Sequence, residues 1–376
     1  MPRLFVVMEK YERLQELLRS YGSCLVAYSG GVDSVLLARV AHEVLGRKAL
    51  AAIADSPSLP RRELQEALAL AEQFQFPVRV VRTKEFENPA YLANPNNRCY
   101  FCKHELFTEL GPLAKAEGFA VVAYGENASD VGDYRPGAQA AVEFQVRAPL
   151  KEAGLTKAEI RQLSSQLGLP TAEKAQMACL SSRIPYGERV TEEKLGMIER
   201  AENLLRDLGF YDVRVRHHEI RGTNEPLNFQ PKKIPHPGHN ANELRSRVRN
   251  GLLSPTLSSR GGEGEASAIP ADHSINSITP PPGPLPLGTG EGGSLGVDSR
   301  KEVLGEGQPA GFTRHLARIE VGPGELSRFL ENVLAAKVSE ALKEIGYAHV
   351  TLDLQGYRRG SLNEAARGGK KGAAGG

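Results

Sequence analysis

Six residues near the N-terminus, Ser29-Gly30-Gly31-Val32-Asp33-Ser34, are of the types that hold a polyphosphate. Gly30 and Gly31 let backbone amides converge on an anion with no β-carbon in the way. Ser29 and Ser34 add hydroxyl donors, and a helix beginning here adds partial positive charge. No Gly-Lys-Ser/Thr follows, so this is not a Walker A loop, and γ-phosphate transfer is the less natural chemistry. Asp33 can orient a Mg2+ ion that carries pyrophosphate. A plain serine-capped turn would explain a lone Gly-Gly pair, but not the full run at a strand-to-helix junction.

Three cysteines form a second candidate centre. Cys99 and Cys102 lie in Asn97-Arg98-Cys99-Tyr100-Phe101-Cys102-Lys103, and Cys179 lies in the polar stretch Ala178 to Gly187. Two thiols three residues apart at a helix start can bind one metal centre, and a third from elsewhere leaves one position open. That set suits a [4Fe-4S] cluster with one iron free of protein ligands. A zinc site of three cysteines and one histidine competes with it, as does a redox disulfide between Cys99 and Cys102. Plain burial is the inert alternative for the pair. Beside Cys179, Arg183 and the hydroxyls of Ser181 and Ser182 favour a thiolate. Cys24 lies in an apolar run and reads as a small core residue.

These residues need elements to position them. Short apolar runs at Cys24–Tyr28, Leu50–Ala54, Val78–Val81 and Ala120–Tyr124 read as buried strands. Amphipathic patterns at 34–45, 60–75, 103–117 and 156–168 read as helices between and after them. Strands separated by such helices imply crossovers and a doubly wound parallel sheet, an α/β fold. After residue 187 the pattern changes. A helix over 191–208, strands Asp212–Arg216 and Ala317–Val321, a helix over 324–345 and a strand Ala348–Leu352 make a small C-terminal α+β domain. Its parts, 188–222 and 313–364, are split by residues 223–312, which hold 14 glycines, 12 prolines and only two aromatics, Phe229 and Phe312. That composition reads as a disordered, passive insertion. The tail 365–376 reads as loose.

The chain has 376 residues and a formal net charge of +2, so no strong field draws it to nucleic acid. No run approaches the ~18 apolar residues of a membrane span. The first eight residues are too short for a signal peptide's apolar core, and a cytoplasmic enzyme is expected.

The loop resembles that of the N-type ATP pyrophosphatases, or PP-loop enzymes, which have an adenine nucleotide alpha hydrolase-like fold and split ATP between the α and β phosphates. Further blocks narrow the resemblance. They are Ala54-Asp55-Ser56-Pro57-Ser58-Leu59-Pro60, Asn94 to Lys103, Tyr124 to Asp130 with Asp133 to Gly137, Ala178 to Gly187, Val213 to His218 and Thr351 to Arg358. With the loop, they resemble the LarE family, sulfur transferases that help to make the nickel-pincer nucleotide of lactate racemase. The resemblance covers 8–222 and 313–364. It implies ATP on Ser29, Gly30, Gly31, Asp33 and Ser34, with adenosine near Ala54 and Gly125, where open parallel sheets bind ligands. A carboxylate of a small-molecule nucleotide, pyridinium-3,5-biscarboxylic acid mononucleotide, would then be adenylated, and AMP would leave when sulfur attacks. In one LarE type the cysteine at the position of Cys179 gives up its own sulfur. In the other, three cysteines hold a [4Fe-4S] cluster that delivers an extra sulfide. Having Cys99 and Cys102 besides Cys179, this chain looks like the cluster type. A homo-oligomer is also implied.

Arg183, Arg214 and Arg216 are candidates for substrate oxyanions, because guanidinium forks match them. Positions 214 and 216 face one side of a strand; a solvated basic edge is the plainer reading of that pair. His217 and His218 read as surface residues with no metal. A tRNA thiolase or a nucleotide-binding redox sensor would also combine such a loop with cysteines, but no basic, aromatic-rich RNA module is evident. One departure from the family is the insertion, which threatens strand pairing in the C-terminal domain or a subunit contact.

Overall fold

The run Cys24–Tyr28 forms β1, and all five residues are buried. A strand buried on both faces needs helices on both sides, which parallel crossovers supply. β2 (Ala49–Asp55), β3 (Val78–Arg82) and β4 (Val121–Tyr124) complete a sheet in the order β3-β2-β1-β4, with every pairing parallel. The α/β doubly wound fold expected above is thus present. The structure is a computed structural model that describes residues 2–130, 135–175, 178–222 and 312–358.

Helices α1 (Pro2–Tyr21), α2 (Val32–Leu45), α3 (Arg61–Gln73), α4 (Pro89–Leu92), α5 (Arg98–Glu117), α6 (Pro136–Glu143), α7 (Pro149–Glu152) and α8 (Lys157–Gln166) belong to this part. Alternation along β1 divides the core. Cys24, Val26 and Tyr28 pack with Leu14, Leu36 and Ile160 from α1, α2 and α8, whereas Leu25 and Ala27 pack with Phe107, Leu110 and Ala140 from α5 and α6. Cys24 is the core residue it was expected to be, and burial pushes its thiol up to about 12.

Two differences from the expected elements matter. No helix was expected before Cys24, yet α1 buries Val7, Tyr11, Leu14, Leu18 and Tyr21 at helical spacing. The second concerns α5, which opens at Arg98 rather than 103. A turn in which Arg98 N–H donates to the Pro95 carbonyl (3.0 Å) already feeds the helix, so Cys99 sits in its first turn and Cys102 at the start of the second.

The chain order reverses between β1 and β4: β2 and β3 extend one way from β1, and β4 is added on the other side. Ligands of open parallel sheets bind at such a reversal, outside the carboxyl ends of the strands. The Ser29–Ser34 loop follows β1 and Gly125 follows β4, so both stand at that point.

The C-terminal part consists of α9 (Glu192–Asp207), β5 (Val213–Gly222), β6 (Phe312–Val321), α10 (Asn332–Ile345) and β7 (His349–Leu352). β5 and β6 are antiparallel, β6 and β7 parallel. Met197, Leu205, Phe210, Val213, Val215 and Leu342 form its core. The expected helix over 324–345 is divided: a 3₁₀ segment, Pro323–Leu330, precedes α10, and Glu331 between them is extended. Both long strands exceed their expected lengths. Pairing runs unbroken from Val213–Val321 to Gly222–Phe312, so the threat to strand pairing is not realised among the described residues. Phe312, counted with the insertion by composition, is a strand residue. Residues 223–311 and the tail 365–376 lie outside the described residues. Among the described residues no helix is long and apolar enough to cross a membrane.

His217, read as a surface residue, has no exposed area. Its Nε2 lies 3.0 Å from His315 Nδ1, and its Nδ1 lies 3.3 Å from the Tyr347 hydroxyl. Burial lowers its pKa to about 3, helped by His315, Lys194 and His218 and opposed by Glu219. The unfolded chain therefore binds a proton that the folded chain refuses between about pH 6.5 and pH 3. Its neutral form is fully compatible with the fold above pH 6.5, and stability is lost as pH falls through that window. Urea denaturation of wild type and His217→Gln should separate below pH 6.5, the wild type losing up to ~1.4 kcal/mol more per pH unit. Parallel curves would refute the assignment.

Candidate active site

The Ser29–Ser34 loop is closed by its own serines. Ser29 N–H donates to Ser34 Oγ (3.1 Å), the two hydroxyls are 3.1 Å apart, and Ser34 Oγ donates to the Gly31 carbonyl (3.0 Å). Gly30 has φ 70°, and a β-carbon on it would lie 2.8 Å from Ala67 Cβ. At Gly125 a β-carbon would approach Ser34 N at 3.0 Å and Asp33 Cβ at 3.1 Å. Both glycines are thus required by close approach: α3 presses on one side of the loop, and the end of β4 on the other.

Asp33 accepts from Lys157 Nζ at 2.5 Å and from Asn127 Nδ2 at 3.3 Å. Neither partner was singled out in the sequence. Lys157 follows Thr156, whose capping box with Glu159 starts α8 and so delivers the lysine to the loop.

Ser29, Gly31, Asp33, Ser34, Ala54 and Gly125 border one cavity of about 470 Å³. Cys99, Cys102 and Cys179 border the same cavity. Gly30 borders an adjoining cavity of about 300 Å³, together with Lys157, Arg161 and Lys174. The structure therefore brings the loop, the expected adenosine positions and the three thiols to one place.

Cys179 is held there by a well-anchored loop. Leu180 N–H donates to the Ser58 carbonyl (2.8 Å). The hydroxyls of Ser58, Tyr91 and Ser181 form a buried triangle, with sides of 2.5, 2.8 and 3.0 Å. Arg98, itself buried, donates to the Ser181 carbonyl at 3.0 Å, and Asn94 Nδ2 donates to that of Pro185 at 2.7 Å. The residue before Cys99 thus fixes the segment that carries Cys179. Cys99 is exposed as a residue, but desolvation of its sulfur raises its pKa, proximity to Cys179 adds to the rise, and Arg98 and Lys103 oppose it. Burial also raises that of Cys102, with Cys179 and Glu85 contributing. Three soft sulfur donors facing one cavity are chemically suited to a cluster. They do not converge as they stand: among the described residues no three His, Cys, Asp or Glu side chains are gathered closely enough to hold a metal ion.

The arginines are not brought to this cavity. Arg183 has no exposed area; its Nε and Nη2 donate to Glu202 at 2.8 and 3.0 Å, and its Nη1 donates to the carbonyls of Ala178 (2.7 Å) and Cys179 (3.1 Å). It borders neither cavity. Arg214 and Arg216 share one strand face, opposite the core residues Val213 and Val215, but that face is covered rather than solvated. Arg214 stacks 4.7 Å over the Tyr357 ring and borders a separate cavity with Arg62 and Arg206. Arg216 pairs with Glu320 (2.9 Å) and donates to the Ser182 carbonyl (2.8 Å).

A phosphate loop at the reversal of a parallel sheet, with Lys157 on its aspartate, defines an ATP-using PP-loop enzyme. Residues 7–93 match the family described as NAD synthase. The pyridinium-3,5-bisthiocarboxylic acid mononucleotide synthase of Lactiplantibacillus plantarum is 34% identical over 210 residues, 56% of this chain and 76% of that protein. An uncharacterized protein of Synechocystis sp. is 35% identical over 94% of this chain and 97% of its own length. One from Methanocaldococcus jannaschii is 27% identical over 52% and 74%. The chain belongs to the LarE family.

Two outcomes are expected from this geometry. Glu202→Ala leaves the Arg183 charge buried and unpaired, and should cost about 3–5 kcal/mol in chemical denaturation; a loss below ~1 kcal/mol, typical of an exposed pair, would contradict the pairing. Lys157→Met removes the cation beside Asp33. A charged hydrogen bond contributes about 1.5–3 kcal/mol, so calorimetry should show ATP bound roughly 10–100-fold more weakly.

Proposed function

We propose that the chain is an ATP-dependent sulfur transferase of nickel-pincer nucleotide biosynthesis. It adenylates a carboxylate of pyridinium-3,5-biscarboxylic acid mononucleotide and replaces an oxygen of that carboxylate with sulfur. The observation that carries this reading is that the Ser29–Ser34 loop and the thiols of Cys99, Cys102 and Cys179 border one cavity. A relative 34% identical is named as the synthase of the corresponding bisthiocarboxylic acid mononucleotide.

The loop amides, the start of α2 and Lys157 hold the polyphosphate, with Asp33 assigned to its Mg2+ ion. A carboxylate oxygen of the substrate attacks the α-phosphorus, and the bond to the pyrophosphate oxygen breaks. The resulting acyl adenylate has AMP as its leaving group, so one hard displacement becomes two easier ones. Sulfur then attacks the acyl carbon, and the carbon–oxygen bond to AMP breaks. If Cys179 is the donor, its thiolate forms a thioester. Loss of the Cα proton with cleavage of the Cβ–S bond then releases the thioacid and leaves dehydroalanine. A [4Fe-4S] cluster held by Cys99, Cys102 and Cys179 would instead supply exchangeable sulfide, the source we favour because all three thiols are present. The enzyme is expected to act as a homo-oligomer in the cytoplasm.

Pyrophosphate release should depend on both ATP and the mononucleotide acid, and Asp33→Ala should abolish it. Release that ignores the acid would overturn the reading. Intact mass after turnover decides the sulfur source: loss of the elements of hydrogen sulfide at Cys179 marks the sacrificial route. An unchanged chain with iron and sulfide present after anaerobic reconstitution marks the cluster route.

A further inference from the structure

Lys103 leaves the second turn of α5 and borders the same cavity as the loop and the thiols. Its stem packs against Gly137, where a β-carbon would lie 2.9 Å from Lys103 Cγ. Its ammonium lies 5.6 Å from the centre of the Phe107 ring and 5.5 Å from that of Tyr124. No hydrogen bond or ion pair is made by this ammonium among the described residues. Burial lowers its pKa while the neighbouring Cys102 and Cys99 oppose the fall, and ring faces replace only part of the hydration an ammonium loses, so its hydrogen-bonding capacity is unfilled.

The cavity wall elsewhere has the opposite need. Thr83 Oγ1 and Glu85 Oε2, just beyond β3, are buried without a hydrogen-bond partner, and both residues border the cavity. Glu85 makes no ion pair with Lys103. Buried oxygens of this kind call for donors such as the hydroxyls of a ribose. The polyphosphate already has the loop amides and Lys157. Among the anionic groups that the proposed reaction brings in, the carboxylate is the one whose carbon has to stand beside the thiols to receive sulfur. Lys103 is next to Cys102.

We infer that Lys103 binds the carboxylate of the aromatic acid substrate and is the residue that selects for it. The cavity is thereby divided into polyphosphate at the loop, hydroxyl donors at Thr83 and Glu85, and carboxylate at Lys103. This rests on the proposed function for the identity of the acid, but the binding it asserts is testable without turnover.

Pyridine-3,5-dicarboxylate and its neutral dicarboxamide serve as probes in calorimetry with the full chain. Wild type should bind the dicarboxylate at least about tenfold more tightly than the dicarboxamide, as expected for a desolvated charge-assisted contact. Lys103→Met should abolish that preference while ATP affinity stays within about twofold, and Lys103→Arg should restore most of it. In turnover, Lys103→Met should raise KM for the mononucleotide acid and leave KM for ATP unchanged. Absence of the preference in wild type, its survival in Lys103→Met, or a parallel loss of ATP affinity would each overturn the inference. Wild type that prefers the dicarboxylate but shows no acid-dependent pyrophosphate release would overturn the proposed function alone. Thermal melting and iron content of each variant exclude unfolding or loss of a cluster as the cause.

Discussion

The contact on which the site most depends is the buried pair between Arg183 and Glu202. Both side chains have no exposed area, and each nitrogen of the guanidinium and each oxygen of the carboxylate has a hydrogen-bond partner. Glu202 also accepts from Arg206 Nη2 (2.9 Å) and from the Val215 amide (3.1 Å), while Arg183 reaches back to the carbonyls of Ala178 and Cys179. Two charges removed from water are tolerated only when they are satisfied this completely. Completeness also gives the pair its structural meaning. It joins the segment carrying Cys179 to α9 and β5, so the C-terminal sheet helps to set where a thiol stands in a cavity built by the N-terminal sheet.

The same thiol is fixed from the other side by groups of the parallel sheet. Ser58 lies beyond β2, Tyr91 in α4 and Arg98 at the start of α5, and all three meet Ser181. The segment of Cys179 is thus a keystone between two sheets, whereas the phosphate loop belongs to one sheet alone. The proposed reaction, which first cleaves ATP and then moves sulfur, would need both kinds of support. The loop must be stiff to bind phosphate, and the sulfur must be carried to the acyl carbon without relying on a flexible arm.

Much of this was legible in the sequence, for local reasons. β1 is recognisable because five apolar residues stand together before Gly30-Gly31. The loop is recognisable because its residue types serve anion binding at adjacent positions. What could not be read was long-range pairing. Arg183 looks like a cation for a ligand until Glu202, nineteen positions on, is found against it. Arg214 and Arg216 look like a wet edge because strand alternation says which side a residue faces, not what covers that side. Lys157 was passed over because it lies 124 positions from Asp33. Its signal was the Thr-Lys-Ala-Glu capping box, which announces that a lysine sits at a helix start. The helical spacing of Val7, Tyr11, Leu14 and Leu18 was the unread signal for α1.

The last pair of the β5–β6 ladder, Gly222 opposite Phe312, has a consequence for how this chain tolerates change. Residues facing each other across an antiparallel ladder are ~5 Å apart, so a connection leaving one and returning to the other starts and finishes at almost the same point. Doubling the length of such a connection adds only about 0.6 kcal/mol. Added sequence at that junction is therefore nearly invisible to selection on folding, while a single residue inserted between Arg98 and Cys99 would turn the helix face that carries two thiols. The gene can lengthen freely at one address and scarcely at all at another.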